Sequence, residues 1–293
     1  MIPKLVALWR KEWSATPGTT DPAFPFGLQT LSTGDSEGAA DIGSFRFAQT
    51  ASYGVMPNAL MQGTWLSQGY DLADPWYFCE AGVSDCPGCD TSDARYNCSS
   101  PNVGPSIHPR IKVPVGQRLA AGALVTSYGF SGPVTGPTIA GCSYTPGAAT
   151  LSVAFDTALL AGGALVVQDY KGLAAFSGFS VLAGSTDEPQ TGQWVAVNIS
   201  LAGAAAISVD LGPLAGAAPQ AIKYAWGATG SWPNDQDVTC CLPQPNKECL
   251  PAQCPLFVAQ PLAPYAGLPA NPFMARITAG GKCLCPAPQA CDA

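Results

Sequence analysis

The sequence holds one histidine, His108, in Ser106-Ile107-His108-Pro109-Arg110. Acyl transfer near neutral pH needs a group that takes a proton from a hydroxyl and returns it to a leaving group, and an imidazole titrating near pH 6.5 does this best. A lone histidine can equally serve only local hydrogen bonding. Asp71 and Asp74, in Asp71-Leu72-Ala73-Asp74, stand at the end of an apolar run that reads as a strand. A carboxylate at a strand end can orient an imidazole, or it can cap the next turn. Gly34-Asp35-Ser36 has the form of a serine nucleophile motif. It is followed by Glu37-Gly38 rather than the apolar start of a helix, so Ser36 reads as part of a polar loop.

Other residue types point away from cofactor chemistry. Cys86-Pro87-Gly88-Cys89, with Cys79 and Cys98 nearby, has permissive spacing for four thiolates on a zinc ion. Twelve cysteines and two acceptor sequences for N-glycosylation, Asn97-Cys98-Ser99 and Asn198-Ile199-Ser200, favour disulfides in an oxidising compartment instead. The expectation is no metal and no cofactor. Seven of the cysteines, from Cys240 onward, lie in a proline-dense tail that reads as irregular and stapled. Trp226 and Trp232 could offer a stacking platform for a sugar, although core packing is the commoner fate of tryptophan in β structure.

These residues need a scaffold, and composition narrows its type. Charged residues make up 11% of the 293, against about 25% in ordinary soluble domains, while 28 Pro and 32 Gly favour strands and turns over long helices. A net charge of −7 without a Lys/Arg cluster excludes the basic face that a nucleic-acid partner requires. No run reaches the eighteen or so apolar residues of a membrane span. The start, Met1-Ile2-Pro3-Lys4, has no basic-then-apolar leader pattern. The expectation from this is that an N-terminal part is missing.

Leu5, Leu8, Trp9 and Trp13 recur at helical spacing over residues 3–13, and Pro25 to Leu31 reads as a buried strand. A helix is expected from Phe45 to Tyr53 and a strand from Gly63 to Leu72. Residues 75–104 have the look of an inserted loop. A helix from Lys112 to Tyr128 should lay Val115, Leu119, Ala123 and Leu124 on the sheet and end at Gly129. From about 132 onward, short β-type runs separated by turns, such as Thr150 to Phe155, Ala164 to Gln168, Trp194 to Ile199 and Ala206 to Leu211, suggest a small β-sandwich.

Several strings resemble one known family in order along most of the chain: Phe24-Pro25-Phe26-Gly27-Leu28, Gln49-Thr50-Ala51, Val55-Met56-Pro57-Asn58, Asp71-Leu72, the His108 string with Arg118-Leu119 and Tyr128-Gly129, Lys223-Tyr224-Ala225-Trp226, Gln253-Cys254-Pro255-Leu256 and Leu268-Pro269-Ala270-Asn271-Pro272-Phe273. They are similar to sialate O-acetylesterases of the broad SGNH hydrolase superfamily. The resemblance implies an α/β fold: a partial SGNH-type, flavodoxin-like hydrolase domain over residues 1–130, with the Cys-rich insertion at 75–104, then a β-sandwich-like accessory domain over 131–293.

It further implies removal of O-acetyl groups from sialic acid or a related sugar, with His108 as the catalytic base. The segments that bear the serine nucleophile and oxyanion donors in relatives precede the counterpart of Trp9-Arg10 and have no match here. Relatives often carry an acid just before the His-Pro pair, where this chain has Pro105 and Ser106, so Asp71 and Asp74 remain the substitutes. Arg46 and Gln49 fall in a stretch that lies near the active site in the family, which implies a substrate or scaffold role, against the alternative of an exposed surface helix. The expected setting is secreted or lysosomal, and the rival reading is a non-catalytic carbohydrate-binding or structural module on an esterase scaffold.

Overall fold

A computed structural model describes residues 2–31, 42–70, 112–160, 162–167, 178–184, 194–225, 256–261 and 266–284. The first part is α/β. Helix α1 (Ile2–Trp13) precedes strand β1 (Phe26–Gln29), helix α2 (Ile42–Gln49), strand β2 (Thr64–Ser67) and helix α3 (Val113–Tyr128). Strands β1 and β2 pair in parallel, Phe26 opposite Thr64 and Gln29 opposite Ser67, so α2 belongs to the crossover between them. All four residues of β2 are buried, as a strand covered on both faces requires.

Arg10 of α1 fixes the start of both strands. Its guanidinium donates to the carbonyls of Phe24, at 2.9 and 3.1 Å, and Gln62, at 2.8 Å. Trp9 and Trp13 stack on each other and lean on Phe26 and Phe24. Helix α2 stops at Gln49, earlier than the expected Tyr53, because Ala51 and Ser52 turn to positive φ and the Thr50 hydroxyl accepts the Gly54 N–H at 2.7 Å.

Helix α3 ends where the sequence predicts. Gly129 takes the left-handed conformation (φ 72°), and the Phe130 N–H returns to the Leu124 carbonyl at 3.2 Å. Its buried face is a different one from the expected Val115, Leu119, Ala123 and Leu124. Pro114, Arg118 and Gly122 face inward instead, and Leu124 is exposed. The cause is Trp65 of β2, whose indole lies between β1 and α3. A Cβ added at either Gly27 or Gly122 would come closer than 3.0 Å to that ring, so only glycine allows the helix to dock there.

After α3 the described residues form, besides two short 3-10 turns, the strands β3 (Ile139–Ser143), β4 (Thr150–Phe155), β5 (Leu165–Val167), β6 (Phe179–Ala183), β7 (Trp194–Val197), β8 (Ile199–Gly203), β9 (Ala206–Asp210), β10 (Pro219–Tyr224), β11 (Leu256–Pro261), β12 (Ala266–Pro269), β13 (Phe273–Ile277) and β14 (Cys283–Leu284). Two antiparallel sheets, β3-β4-β9-β8 and β14-β13-β10-β6-β7, turn alternate residues toward each other. Leu151, Val153 and Phe155 of β4 and Ile207 and Val209 of β9 share one apolar cluster with Phe179, Val181, Ile222, Tyr224, Phe273 and Ala275. A third sheet, β12-β11-β5, adds Leu165 and Leu268 to that cluster.

The proline-dense tail is therefore not irregular throughout. It supplies β11 to β14, and β13 pairs with β10 inside the five-stranded sheet. Cys142 and Cys283, the two cysteines among the described residues, form a disulfide between β3 and β14, with 141 residues of separation. Among the described residues no helix is long and apolar enough to cross a membrane, and no group of three His, Cys, Asp or Glu could hold a metal ion.

Candidate active site

Ligands of parallel α/β sheets collect at the carboxyl ends of the strands, and here those ends carry a closed polar network. The Thr30 N–H donates to the Ser67 carbonyl at 2.9 Å, and the Thr30 hydroxyl donates to Gln68 Oε1 at 2.8 Å while accepting the Gly69 N–H at 2.9 Å. The Ser67 hydroxyl donates to Gln29 Oε1, and Gln29 Nε2 donates to the Thr30 carbonyl at 3.1 Å. Small hydroxyl and amide side chains thus satisfy the backbone where the ladder stops.

Two arginines close over this network. Arg46 is 3% exposed and donates from Nε to the Leu31 carbonyl at 2.8 Å, while Gln49 Oε1 accepts the Leu31 N–H at 3.2 Å. The two residues therefore grip both backbone groups of Leu31, and Arg46 is not on an exposed helix face. Arg118, buried in α3, donates to the Gln68 carbonyl. The guanidinium of Arg46 also stands 5.9 Å from the ring centre of Tyr70.

Tyr70 is the last described residue before Asp71. It is fully buried, and its hydroxyl donates to the Ala270 carbonyl at 2.7 Å and lies 3.2 Å from the Tyr224 hydroxyl. The chain leaving β2 is consequently fixed at three successive residues: Gln68 by Arg118, Gly69 by Thr30, and Tyr70 by the β sheets. A small cleft of mixed lining, with Ser67, Gln68, Arg118 and Thr135 among apolar residues such as Leu268 and Pro269, opens beside it, between the α/β part and the β sheets. Asn271 braces its far wall, donating to Thr138 Oγ1 at 2.7 Å and the Gly136 carbonyl at 3.2 Å.

His108, Asp71, Asp74, Ser36, Asn97 and the Cys86-Cys89 pair lie outside the described residues, as do Trp226 and Trp232. Arg46 and Gln49 lie beside the carboxyl end of β1, bonded to Leu31. Arg118, Thr30, Gln68 and Tyr70 had no assigned role in the sequence reading. One signal for Arg118 was available: it is the one charged residue between Val113 and Tyr128.

No protein-family model matches the sequence. Sialate O-acetylesterase of Mus musculus is 32% identical over 142 residues, 46% of this chain and 22% of that protein. The Homo sapiens sialate O-acetylesterase is 32% identical over 141 residues, 45% of this chain and again 22% of that protein. The matched stretch therefore spans about a fifth of these curated relatives. Among solved structures, a carbohydrate acetylesterase from Xanthomonas citri superposes on 93% of this chain and 45% of that chain, with a TM-score of 0.52 and 21% identity, a likeness of fold. Over nearly half its length this chain is thus similar in sequence to the sialate O-acetylesterases.

Proposed function

We propose that this chain is part of an ester hydrolase that removes O-acetyl groups from sialic acid or a related sugar. The observation that carries the reading is the 32% identity to sialate O-acetylesterases over 142 residues. The fold likeness to a carbohydrate acetylesterase supports it. So does the pinned stretch from Gln68 to Tyr70, which leads directly into the candidate acids Asp71 and Asp74.

In this mechanism His108 takes the proton of a serine hydroxyl as that oxygen attacks the acetyl carbonyl, then returns it to the departing sugar hydroxyl. Water hydrolyses the acetyl-enzyme by the same proton path in reverse, and acetate leaves. Asp71 or Asp74 orients the imidazole and stabilises its charged form. No cofactor takes part. Arg46 and Gln49 hold the carboxyl end of β1 in place and border the sugar site. The nucleophile and oxyanion donors belong to a hydrolase segment that the strings of this chain do not match, and Ser36 is not assigned that role. Residues 1–130 contribute to an SGNH-type hydrolase domain, and residues 131–293 form a β-sandwich accessory domain. The setting is the cell exterior or the lysosome.

The test is fluorophosphonate labelling of the native protein, captured through this chain, with the modified peptide mapped. A labelled serine in a hydrolase segment beyond these residues is the expected result, and a label on Ser36 would move the nucleophile into this chain. Glycan binding without any label would identify a non-catalytic module. In the labelled protein, His108→Ala should lower acetyl-ester turnover by several orders of magnitude, and near-normal turnover removes His108 from the mechanism.

A further inference from the structure

Along β1 the N–H groups of Phe26 and Thr30 donate to the Gly63 and Ser67 carbonyls on the β2 side, at 3.1 and 2.9 Å. Backbone groups alternate sides along a strand, so those of Gly27, Gln29 and Leu31 point to the opposite edge. At Leu31 that edge is closed by side chains of α2: Gln49 accepts its N–H, and Arg46 donates to its carbonyl. At Gly27 and Gln29 the outward N–H and carbonyl meet no backbone partner among the described residues. All four residues of β1 are half-buried, whereas all four of β2 are buried.

A buried donor lies over the same edge. The Trp65 indole crosses from β2 over Gly27, where an added Cβ would stand 2.8 Å from Nε1. Trp65 is 8% exposed, and its Nε1 is buried without a hydrogen-bond partner. Such donors are costly to leave unpaired. Both faces of the strand pair are covered, by α1 through Trp9 on Phe26 and by α3 through Gly122 on Trp65. Cover on both faces marks the interior of a parallel sheet, and two strands alone seldom make a stable one. The shared fold has room for more: this chain covers 45% of the Xanthomonas citri chain, so the larger part of that chain has no counterpart here.

We infer that the outer edge of β1 receives a parallel strand from the nucleophile-bearing hydrolase segment, an inference that rests on the esterase reading. Gly27 and Gln29 each donate and accept one hydrogen bond across this edge, and an acceptor on the added strand takes the Trp65 N–H. Arg46 and Gln49, standing where the next residue would pair, limit the ladder to those two positions. Running parallel, the strand ends at the rim that Thr30 and Leu31 form, so a nucleophile at its carboxyl end faces the candidate site.

The experiment captures the native protein through this chain and reads amide hydrogen exchange residue by residue, together with fluorophosphonate labelling. Gly27 and Gln29 should exchange within about tenfold of Leu28, whose N–H faces β2. Gln29→Pro removes the side chain and the outward N–H but no bond between β1 and β2, whereas Gln29→Ala removes the side chain alone. A solvent-facing edge tolerates the proline and a paired edge does not, so labelling of the serine should fall at least about tenfold below the alanine variant. Labelled protein in which Gly27 and Gln29 exchange as free amides while Leu28 is protected, or equal labelling of the two variants, overturns the added strand and leaves the esterase reading standing. Folded protein that takes no label overturns that reading and this occupant with it. Protection that disappears on dilution from dimer to monomer assigns the edge to a second copy of the chain and also overturns the proposal.

Discussion

Replacing Lys223 by methionine should stabilise this protein at neutral pH, an unusual direction for a buried position. Lys223 is 5% exposed in the middle of the five-stranded sheet, opposite Ser180 on β6 and Met274 on β13. Its ammonium sits 4.2 Å from the ring centre of Trp194, and no carboxylate faces it among the described residues. Burial lowers its pKa from 10.5 to about 8. The folded protein therefore binds this proton more weakly than the unfolded chain does.

Below pH 8 both states hold the proton and the full burial cost is present. Between pH 8 and 10.5 the folded state releases it first and stability rises with pH. At about 1.4 kcal/mol per pKa unit the whole effect is about 3 kcal/mol, and the Trp194 contact offsets roughly 0.5–2 kcal/mol of it. Methionine keeps the aliphatic stem and removes the charge, so Lys223→Met should gain about 1–3 kcal/mol near neutrality. The assay is urea unfolding of both proteins from about pH 6.5 to pH 9.5, where the wild type should regain up to about 2 kcal/mol on the variant. Other titrating groups cancel in the difference. A destabilised variant whose deficit does not change with pH would refute the reasoning, since it would mean that the ammonium is favourably compensated in the fold.

Three further outcomes follow from the packing. Gly122→Ala should destabilise by about 1–3 kcal/mol in thermal unfolding, because the methyl group meets Trp65; a free helix would instead gain up to about 1 kcal/mol, so the sign of the change decides. Cys142→Ser and Cys283→Ser should each cost up to about 5 kcal/mol, the loop-closure value for a 141-residue separation, and an unchanged denaturation midpoint would remove the disulfide as a structural tie. Tyr70→Phe should cost about 1–2 kcal/mol and be non-additive with Tyr224→Phe in a double-mutant cycle, whereas additive effects would show that the two hydroxyls do not cooperate.

The parts of the fold legible from sequence are those set by local chemistry. Strand β4 alternates Leu151, Val153 and Phe155 with Ser152 and Ala154, and its burial follows that alternation residue by residue. Gly129 announces the end of α3 because few other residues take a positive φ there at low cost. The face of α3 was not legible. Its sequence is apolar or small nearly all round, so periodicity could not separate one face from another, and a tertiary contact, Trp65 against Gly122, decided the matter. The strands of the tail were missed for a related reason. Proline density reads as irregular, yet β12 ends at Pro269 and β13 begins just after Pro272, which leaves Phe273 to Ile277 free to pair with β10. Of the candidate catalytic residues, His108 and the two aspartates are legible in the sequence as residue types. The network that fixes the chain before Asp71 uses backbone carbonyls, amides and hydroxyls whose identities carry no motif.

That network bears on how the two parts of the chain act together. The residue before the candidate acids, Tyr70, reaches across to the β part of the chain with its hydroxyl. It donates to the Ala270 carbonyl, in the turn between β12 and β13, and lies beside the Tyr224 hydroxyl of β10. Asn271, next to Ala270, in turn bonds Thr135, Gly136 and Thr138 on the segment that leaves α3. The β sheets therefore close a loop of contacts from β2 through β10 and the 270–271 turn back to the exit of α3. Buried hydroxyls are costly to leave unpaired, so separating the two parts would expose or orphan Tyr70 at the position where the path to Asp71 is set. On the esterase reading, the β sheets serve the active site by holding its floor in register.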